Sequence, residues 1–257
     1  MIRKLFLMAC CLFICCFAKA QNWGGGVDDD AIHFGFTFQY LSSQYKVFKK
    51  AEWRQPFYEM QGPDDPSPGT KTQITPGLKS ITAKSSPGFG VGFVVNTRLS
   101  EHADVRFTPI LIFNDRLLDY EYESPSVPVP NSLPFKEQKV QATMVEIPLG
   151  LKLKSDRLNN FRAYLLGGAK YSMDISSAKK TNDQGNAAID KFLKNRKGYF
   201  SYEAGIGFDL YFEYFKMSPE IKYSSSFGSV LKQDNNAYST PIDKLMLRHV
   251  TFSLFFE

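Results

Sequence analysis

Chemistry on a protein surface needs histidines, thiols, an activated hydroxyl or clustered carboxylates at workable spacing. This chain offers few of them. Its three histidines are His33, His102 and His249, and none stands at metal-ligand spacing from another. No G-x-S-x-G elbow, Walker loop or paired-carboxylate motif occurs. Gly24-Gly25-Gly26 and Asp28-Asp29-Asp30 form an acidic leader without the regular Asp-x-Asp-x-Asp-Gly spacing of a calcium loop. The sequence therefore predicts no catalytic residue, no metal, no cofactor and no small-molecule substrate, and a chain that is not an enzyme. What does recur is charge set opposite apolar residues. Arg98, Arg106, Lys152, Arg162, Lys170, Lys216 and Lys222 lie in such stretches, and so do Asp104, Glu146, Asp174, Glu203, Asp209, Glu213 and Glu220. In a narrow space charges must pair. Arg98, Arg106, Glu146, Lys152, Arg162, Lys170, Glu203, Asp209, Glu220 and Lys222 are accordingly the candidate ion-pairing residues of an enclosed lumen.

The elements that would hold these charges are strands. Ile32, Phe34, Phe36, Phe38 and Tyr40 alternate with His33, Gly35, Thr37 and Gln39. Val145, Ile147, Leu149, Leu151 and Leu153 alternate with Glu146, Gly150 and Lys152. The same period of two recurs from Phe89, Val105, Leu165, Phe200, Phe215 and Met246, making eight strands. Segments 41–86, 115–138, 176–198 and 228–243 read as long polar loops; 100–102, 155–160 and 213–214 read as tight turns. Long loops at one end and short turns at the other fit an all-β, eight-stranded antiparallel transmembrane β-barrel with long extracellular loops and short periplasmic turns. Parity puts both termini of the barrel on the short-turn side.

Alternation alone does not say which face is inside. An eight-stranded barrel has an interior only wide enough for side chains to fill. The apolar set is rich in Phe and Tyr, too bulky for that space. The opposite set holds Gly35, Gly90, Gly92, Gly150, Gly168, Gly205 and Gly207. The apolar face therefore meets lipid, and near-equal inward charges predict a plugged lumen. Tyr40, Phe89, Phe113, Tyr171, Tyr202 and Tyr223 would form one aromatic belt, and Phe212, Phe215 and Phe256 the other. Pro109, Pro148 and Pro219 fall inside strand patterns and predict bulges, edges or strand ends.

The rest of the chain sets the context. Arg3 and Lys4 precede an apolar run over 5–18 and an Ala18-Lys19-Ala20 site, the three zones of a signal peptide at 1–20. The expected organisation is signal peptide 1–20, periplasmic leader 21–30 and barrel 31–257. Cleavage would remove Cys10, Cys11, Cys15 and Cys16, all four cysteines, and leave no thiol. It would also remove three of the 31 basic residues and none of the 26 acids, lowering the net charge from +5 to about +2. That balance argues against nucleic acid. No run of eighteen apolar residues exists, so membrane helices are excluded. Segments 61–69 and 124–134 are proline-rich and extended. Segment 176–198 is basic, with Lys179, Lys180, Lys191, Lys194, Arg196 and Lys197, and its Ile189, Phe192 and Leu193 suit one side of a short helix. A solvated loop is the plain reading there; acidic lipopolysaccharide or a protein partner is the functional one.

Several stretches resemble the PorT/SprT family, outer-membrane β-barrel components of the type IX secretion system of Bacteroidetes. They are 32–38 (IHFGFTF), 85–107, 145–155 (VEIPLGLKLKS), 157–174 (RLNNFRAYLLGGAKYSMD), 205–223 and the closing strand. The parts at 157–168 and 215–222 are the most specific; the rest is general to barrels. Ala163 departs from the pattern, where a proline would be expected. The resemblance implies an integral outer-membrane protein needed for export of cargo proteins and for gliding motility. It implies other type IX components and outer-membrane lipid and lipopolysaccharide as partners, and no catalytic residues. A filled lumen further implies an accessory or assembly subunit beside a larger conduit. The alternative is a small generic outer-membrane barrel or pore of the porin-like kind.

Overall fold

A computed structural model describes residues 31–60, 69–123, 134–176, 183 and 186–257. The expected signal peptide, the leader, nearly all of both proline-rich segments, and Lys179 and Lys180 lie outside the described residues. The strands are β1 (Ile32–Lys49), β2 (Phe57–Met60), β3 (Lys71–Thr75), β4 (Leu78–Lys84), β5 (Ser86–Ser100) and β6 (Ala103–Phe107). They continue with β7 (Ile110–Tyr122), β8 (Phe135–Lys154), β9 (Phe161–Asp174), β10 (Gly198–Tyr211), β11 (Lys216–Ser226) and β12 (Ile242–Phe256). Strands β4 and β5 make one stave, broken at Ser85, and β6 and β7 make another, broken at Thr108 and Pro109. With the other six long strands this gives eight antiparallel staves. β1 pairs with β12 on one side and β5 on the other, so the sheet closes without an edge along most of its height. The hairpin β2–β3 stands apart.

Turn chemistry sets the lower end. Phe212 and Phe215 close a two-residue hairpin around Glu213 and Tyr214, with the Phe212 N–H donating to the Phe215 C=O at 2.9 Å. Asn159, at φ 56°, takes the left-handed conformation in the β8–β9 turn, which asparagine tolerates better than most residues. The register Phe36↔Phe256 puts the start of β1 and the end of β12 at this same end.

Outward rows are apolar, and Phe34, Phe93, Leu149, Leu165, Phe200 and Val250 are all more than half exposed. Side-chain rings pair across strands at both margins of this band. Phe89 stacks on Phe113 at 5.1 Å, and Tyr171 meets Phe200 at 4.9 Å on the upper margin. Phe212–Phe215 and Phe36–Phe256 stack at the lower margin. A membrane β-strand needs about 9–11 residues to cross, yet β8 has 20 residues and β1 has 18. The staves therefore project above the lipid.

The segments expected as loops are shorter than the sequence reading put them. β1 runs on to Lys49, β4 occupies 78–84, β7 runs to Tyr122 and β8 begins at Phe135. In this upper part the faces exchange character. On β8 the outward side chains are Glu137, Lys139, Gln141 and Thr143, then Val145 to Leu153; the inward ones are Val140, Ala142 and Met144, then Glu146 to Lys154. Above the lipid, water is outside, so apolar groups turn in. Leu41, Tyr45, Ile81, Ile112, Leu118, Tyr120, Leu245 and Leu247 form that upper core. The three prolines behave differently. Pro109 sits at the β6–β7 break, whereas Pro148 and Pro219 lie inside continuous strands, opposite Lys170 and Leu254.

Candidate functional site

The lumen is the one enclosed space that every stave faces, and its lower half is a stack of ion pairs. Lys152 on β8 reaches across to Asp209 on β10 at 2.7 Å, and the Ser218 hydroxyl on β11 donates to the same carboxylate at 2.6 Å. Arg106 on β6 pairs with Glu220 on β11 at 2.7 Å, and its Nε donates to Asn96 on β5 at 2.9 Å. The Tyr164 phenol donates to Glu220 at 2.9 Å. Gly207 makes room for that ring, since a Cβ there would lie 2.4 Å from Tyr164 Cζ. Glu257 takes Lys216 at 2.5 Å and Arg106 at 3.8 Å, and accepts a hydrogen bond from Asn96. Phe255 points inward beside them, with the Arg106 guanidinium 4.4 Å from its ring centre.

A second layer lies higher. Lys170 pairs with Glu146 at 2.6 Å, and the Ser172 hydroxyl donates to the same carboxylate at 3.1 Å. His249 Nδ1 stands 4.0 Å from Glu146. Lys222 lies between Glu220 at 3.4 Å and Glu203 at 3.8 Å. These side chains are almost wholly withdrawn from solvent: Lys152 is 0% and Glu220 1% exposed. Buried charge is tolerated only when paired, and this arrangement supplies a partner of opposite sign at each of these charges.

Eight of the ten sequence-derived lumen residues meet one another in these pairs. Arg98 and Arg162 are half-buried near the lower rim, opposite Asp104 and Asp209 in register. Of the other inward charges expected, Asp174 ends β9 half-buried, and Glu213 is a correction: it sits exposed in the two-residue β10–β11 turn. Alternation does not carry through a tight turn. Sequence reasoning missed Lys154, which pairs with Asp104 at 2.6 Å, although it shares the parity of Lys152. It also missed Arg116, whose Nη2 donates to the Tyr199 phenol at 3.2 Å, because 115–138 read as loop.

Above these layers the lumen is stoppered by its own loops. Val230, Leu231, Ala237 and Tyr238 from the β11–β12 connection are buried, as is Leu193 from the β9–β10 connection. The Tyr120 phenol donates to the Tyr238 C=O at 2.8 Å, and the Tyr238 phenol donates to the Ile189 C=O. Burial pushes the Tyr238 phenol up to about 12, so it stays protonated as that donor. The two connections also bridge to each other at Asn195 and Leu231. The short helix expected around 189–193 is a single 3-10 turn at Ala188–Asp190.

The histidines are far apart in the architecture. His33 is the second residue of β1, His102 lies in the β5–β6 turn 3.5 Å from Asp156, and His249 is buried in the mid-lumen. Among the described residues no three metal-ligating side chains gather into a site. Among the described residues, paired charges fill the lower lumen and loop side chains fill the upper.

Residues 30–232 match the family described as "Outer membrane protein beta-barrel domain". Among solved structures the chain is similar to the outer membrane protein OprG of Pseudomonas aeruginosa, at 13% identity over 86% of this chain and 93% of that one, TM-score 0.38. It is similar to Neisserial surface protein A at 10% identity over 88% and 98%, TM-score 0.38. It is similar to the outer membrane protease OmpT of Escherichia coli at 11% identity over 92% and 98%, TM-score 0.35. No curated protein matches in sequence.

Proposed function

Since the chain belongs to the outer membrane protein beta-barrel domain family and is an integral outer-membrane barrel, we propose that it serves the type IX secretion machinery as a non-enzymatic accessory or assembly subunit. The family membership fixes the barrel and its membrane. The secretion role rests on the resemblance of 157–168 and 215–222 to the PorT/SprT family. The accessory role is carried by one observation, the doubly blocked lumen. Paired charges such as Arg106–Glu220 and Lys152–Asp209 fill the lower half, and Tyr238, Leu231 and Leu193 fill the upper half. A chain threading this bore would have to strip several buried ion pairs of their partners, at about 3–5 kcal/mol each. The barrel wall, and not its bore, is then the working part.

Deleting the gene in its native host tests the role. Cargo proteins should accumulate in the periplasm and return to the medium on complementation. Normal secretion by the deletion strain refutes the proposal. The alternative, a passive pore, predicts steady conductance from the purified barrel in planar bilayers, where the accessory role predicts none.

A further inference from the structure

Among the described residues the wall is one strand short at its outer rim. β9 ends at Asp174, opposite Met144, while β8 runs on up to Phe135. A cavity of about 680 Å³ occupies the place where β9 would have continued. Lys139, Val140 and Gln141 of β8 line one side; residues 192–197, leading into β10, line the other.

Both long sides offer backbone groups. Thr143 turns its backbone toward this gap: its C=O accepts from the Ile175 N–H at 2.9 Å, and its N–H donates to the Ser176 hydroxyl at 2.8 Å. In an antiparallel strand alternate residues bond to the same side, so Gln141 and Lys139 also present N–H and C=O to the gap, away from β7. On the other wall, the Arg196 N–H and Lys194 C=O bond to Val230 and Lys232, on the far side. The Lys197 C=O accepts from the Asp174 N–H at 2.7 Å, toward β9. Asn195, between them, turns its backbone to the gap, with its side chain donating inward to the Tyr45 phenol at 2.5 Å. Gln138 closes the top, accepting from the Leu193 N–H at 3.3 Å. The result is a slot roughly four residues long with strand-type donors and acceptors on both sides.

Its charge is one-sided. Among the described residues Lys139, Lys194, Arg196, Lys197 and Lys232 line it against a single acid, Asp174. Lys139 already pairs with Asp115, and Lys194 with Asp183 and Asp234. Arg196 and Lys197 are exposed and have no ion-pair partner among the described residues. The slot opens above the Tyr171–Phe200 ring pair, beyond the lipid-facing band.

We propose that this slot receives a short, extended, acidic segment of another polypeptide, added as a strand between β8 and residues 193–197. Strand addition uses the open backbone groups, and carboxylates at alternate positions share the outward face with Arg196 and, on β8, Lys139. A lipid phosphate would satisfy the cations and leave the peptide groups of Gln141 and Asn195 unused. The inference stands whether or not the barrel serves secretion.

The test uses the full barrel in detergent micelles and a fluorescein-labelled hexapeptide alternating Glu and Val, read by anisotropy. Saturable binding is expected, weakened at least about tenfold when alternate peptide nitrogens are methylated or when Lys replaces Glu. The Arg196→Glu/Lys197→Glu double variant should lose a similar factor. So should Gln141→Pro, whose lost N–H faces the slot and not the β7 ladder, in a strand that already holds Pro148. Heat-modifiable gel migration verifies the barrel in each variant; where Gln141→Pro misfolds, the double charge reversal decides. No saturable binding, equal binding of the methylated peptide, or unchanged affinity in the charge reversal overturns the proposal. Full displacement of the peptide by a phosphorylated outer-membrane glycolipid overturns it too, and assigns the slot to lipid.

Discussion

The lower and upper halves of this barrel share the same staves and differ in which face is oily. On β1 the outward residues Phe34, Phe36, Phe38 and Tyr40 give way to Ser42, Gln44 and Lys46, while inward Thr37 and Gln39 give way to Leu41 and Tyr45. The geometric phase never slips; β1 keeps its pairing with β12 without a bulge until Phe48 and Lys49. Only the solvent outside changes, from hydrocarbon to water, and the side chains exchange roles accordingly. The exchange falls between Tyr40 and Leu41 on β1 and between Met144 and Val145 on β8, which fixes the upper edge of the lipid on each stave. One interior is therefore held by matched charge and the other by apolar packing, and the two should fail differently.

The largest effect is expected in the ionic half. Asp209→Ala strands Lys152 in a site with no exposure and should cost about 3–5 kcal/mol in urea unfolding from micelles. Replacing both partners, with Lys152→Met and Asp209→Leu, should recover most of that loss. A single variant that unfolds like wild type would mean that water reaches this layer, and the lower half would cease to be a dry plug.

In the apolar half the matching change is Leu245→Ala, expected to cost about 3 kcal/mol. It acts on the loop stopper, because the Leu245 side chain belongs to the same buried cluster as Val230, Leu231 and Tyr238. Protease cutting within 227–241 should rise while the lipid-embedded staves stay resistant. Equal loss of protection in both halves would show that they melt as one unit.

The outer wall gives a smaller, reciprocal contrast on a single strand. Leu149 lies midway along the lipid-facing row of β8, and Leu149→Lys should cost about 2 kcal/mol. Lys139 faces water on the same side of the same strand, and Lys139→Leu should change stability by less than about 0.5 kcal/mol. Similar costs for the two substitutions would place the lipid boundary elsewhere than between Met144 and Val145.

How much of this was legible follows from the same contrast. Where lipid lies outside, Val145 to Leu153 alternates with glycine and charge, and the pattern announces a strand and its facing. Above the lipid, alternation persists with inverted meaning, so Leu41 and Tyr45 look like sparse apolar residues in a polar loop. On β7 the adjacent pair Leu117 and Leu118 breaks the period altogether, and Arg116 was lost with it. Inward facing could be read for Lys152 and Asp209, but their meeting depends on how the staves are staggered, which no single strand records. The stoppering residues Leu193, Leu231 and Tyr238 carry no periodic signal, because irregular segments bury side chains one at a time.

The smallest effect concerns the loop clamp that seals the apolar half. Asp183 accepts from the Phe192 N–H at 3.0 Å and pairs with Lys194, which also reaches Asp234 at 3.6 Å. Burial alone would raise the Asp183 carboxyl, but the Lys194 and Phe192 hydrogen bonds outweigh it and hold the group below its ordinary value. The sign follows from linkage. A depressed carboxylate contributes its stabilisation fully above the unfolded value, and that contribution fades as pH falls through the folded one. Acidification should therefore loosen 186–197 in the region below about pH 4. Lys194→Met should raise the Asp183 midpoint, seen as a carboxyl carbon titration by NMR, with the barrel staves unchanged. The ionic half should not respond in the same window through this pair, because Asp183 and Lys194 stand above the lipid and touch none of its layers. A lumen that loosened together with the clamp would show that the two interiors are coupled, and the division between them would fall.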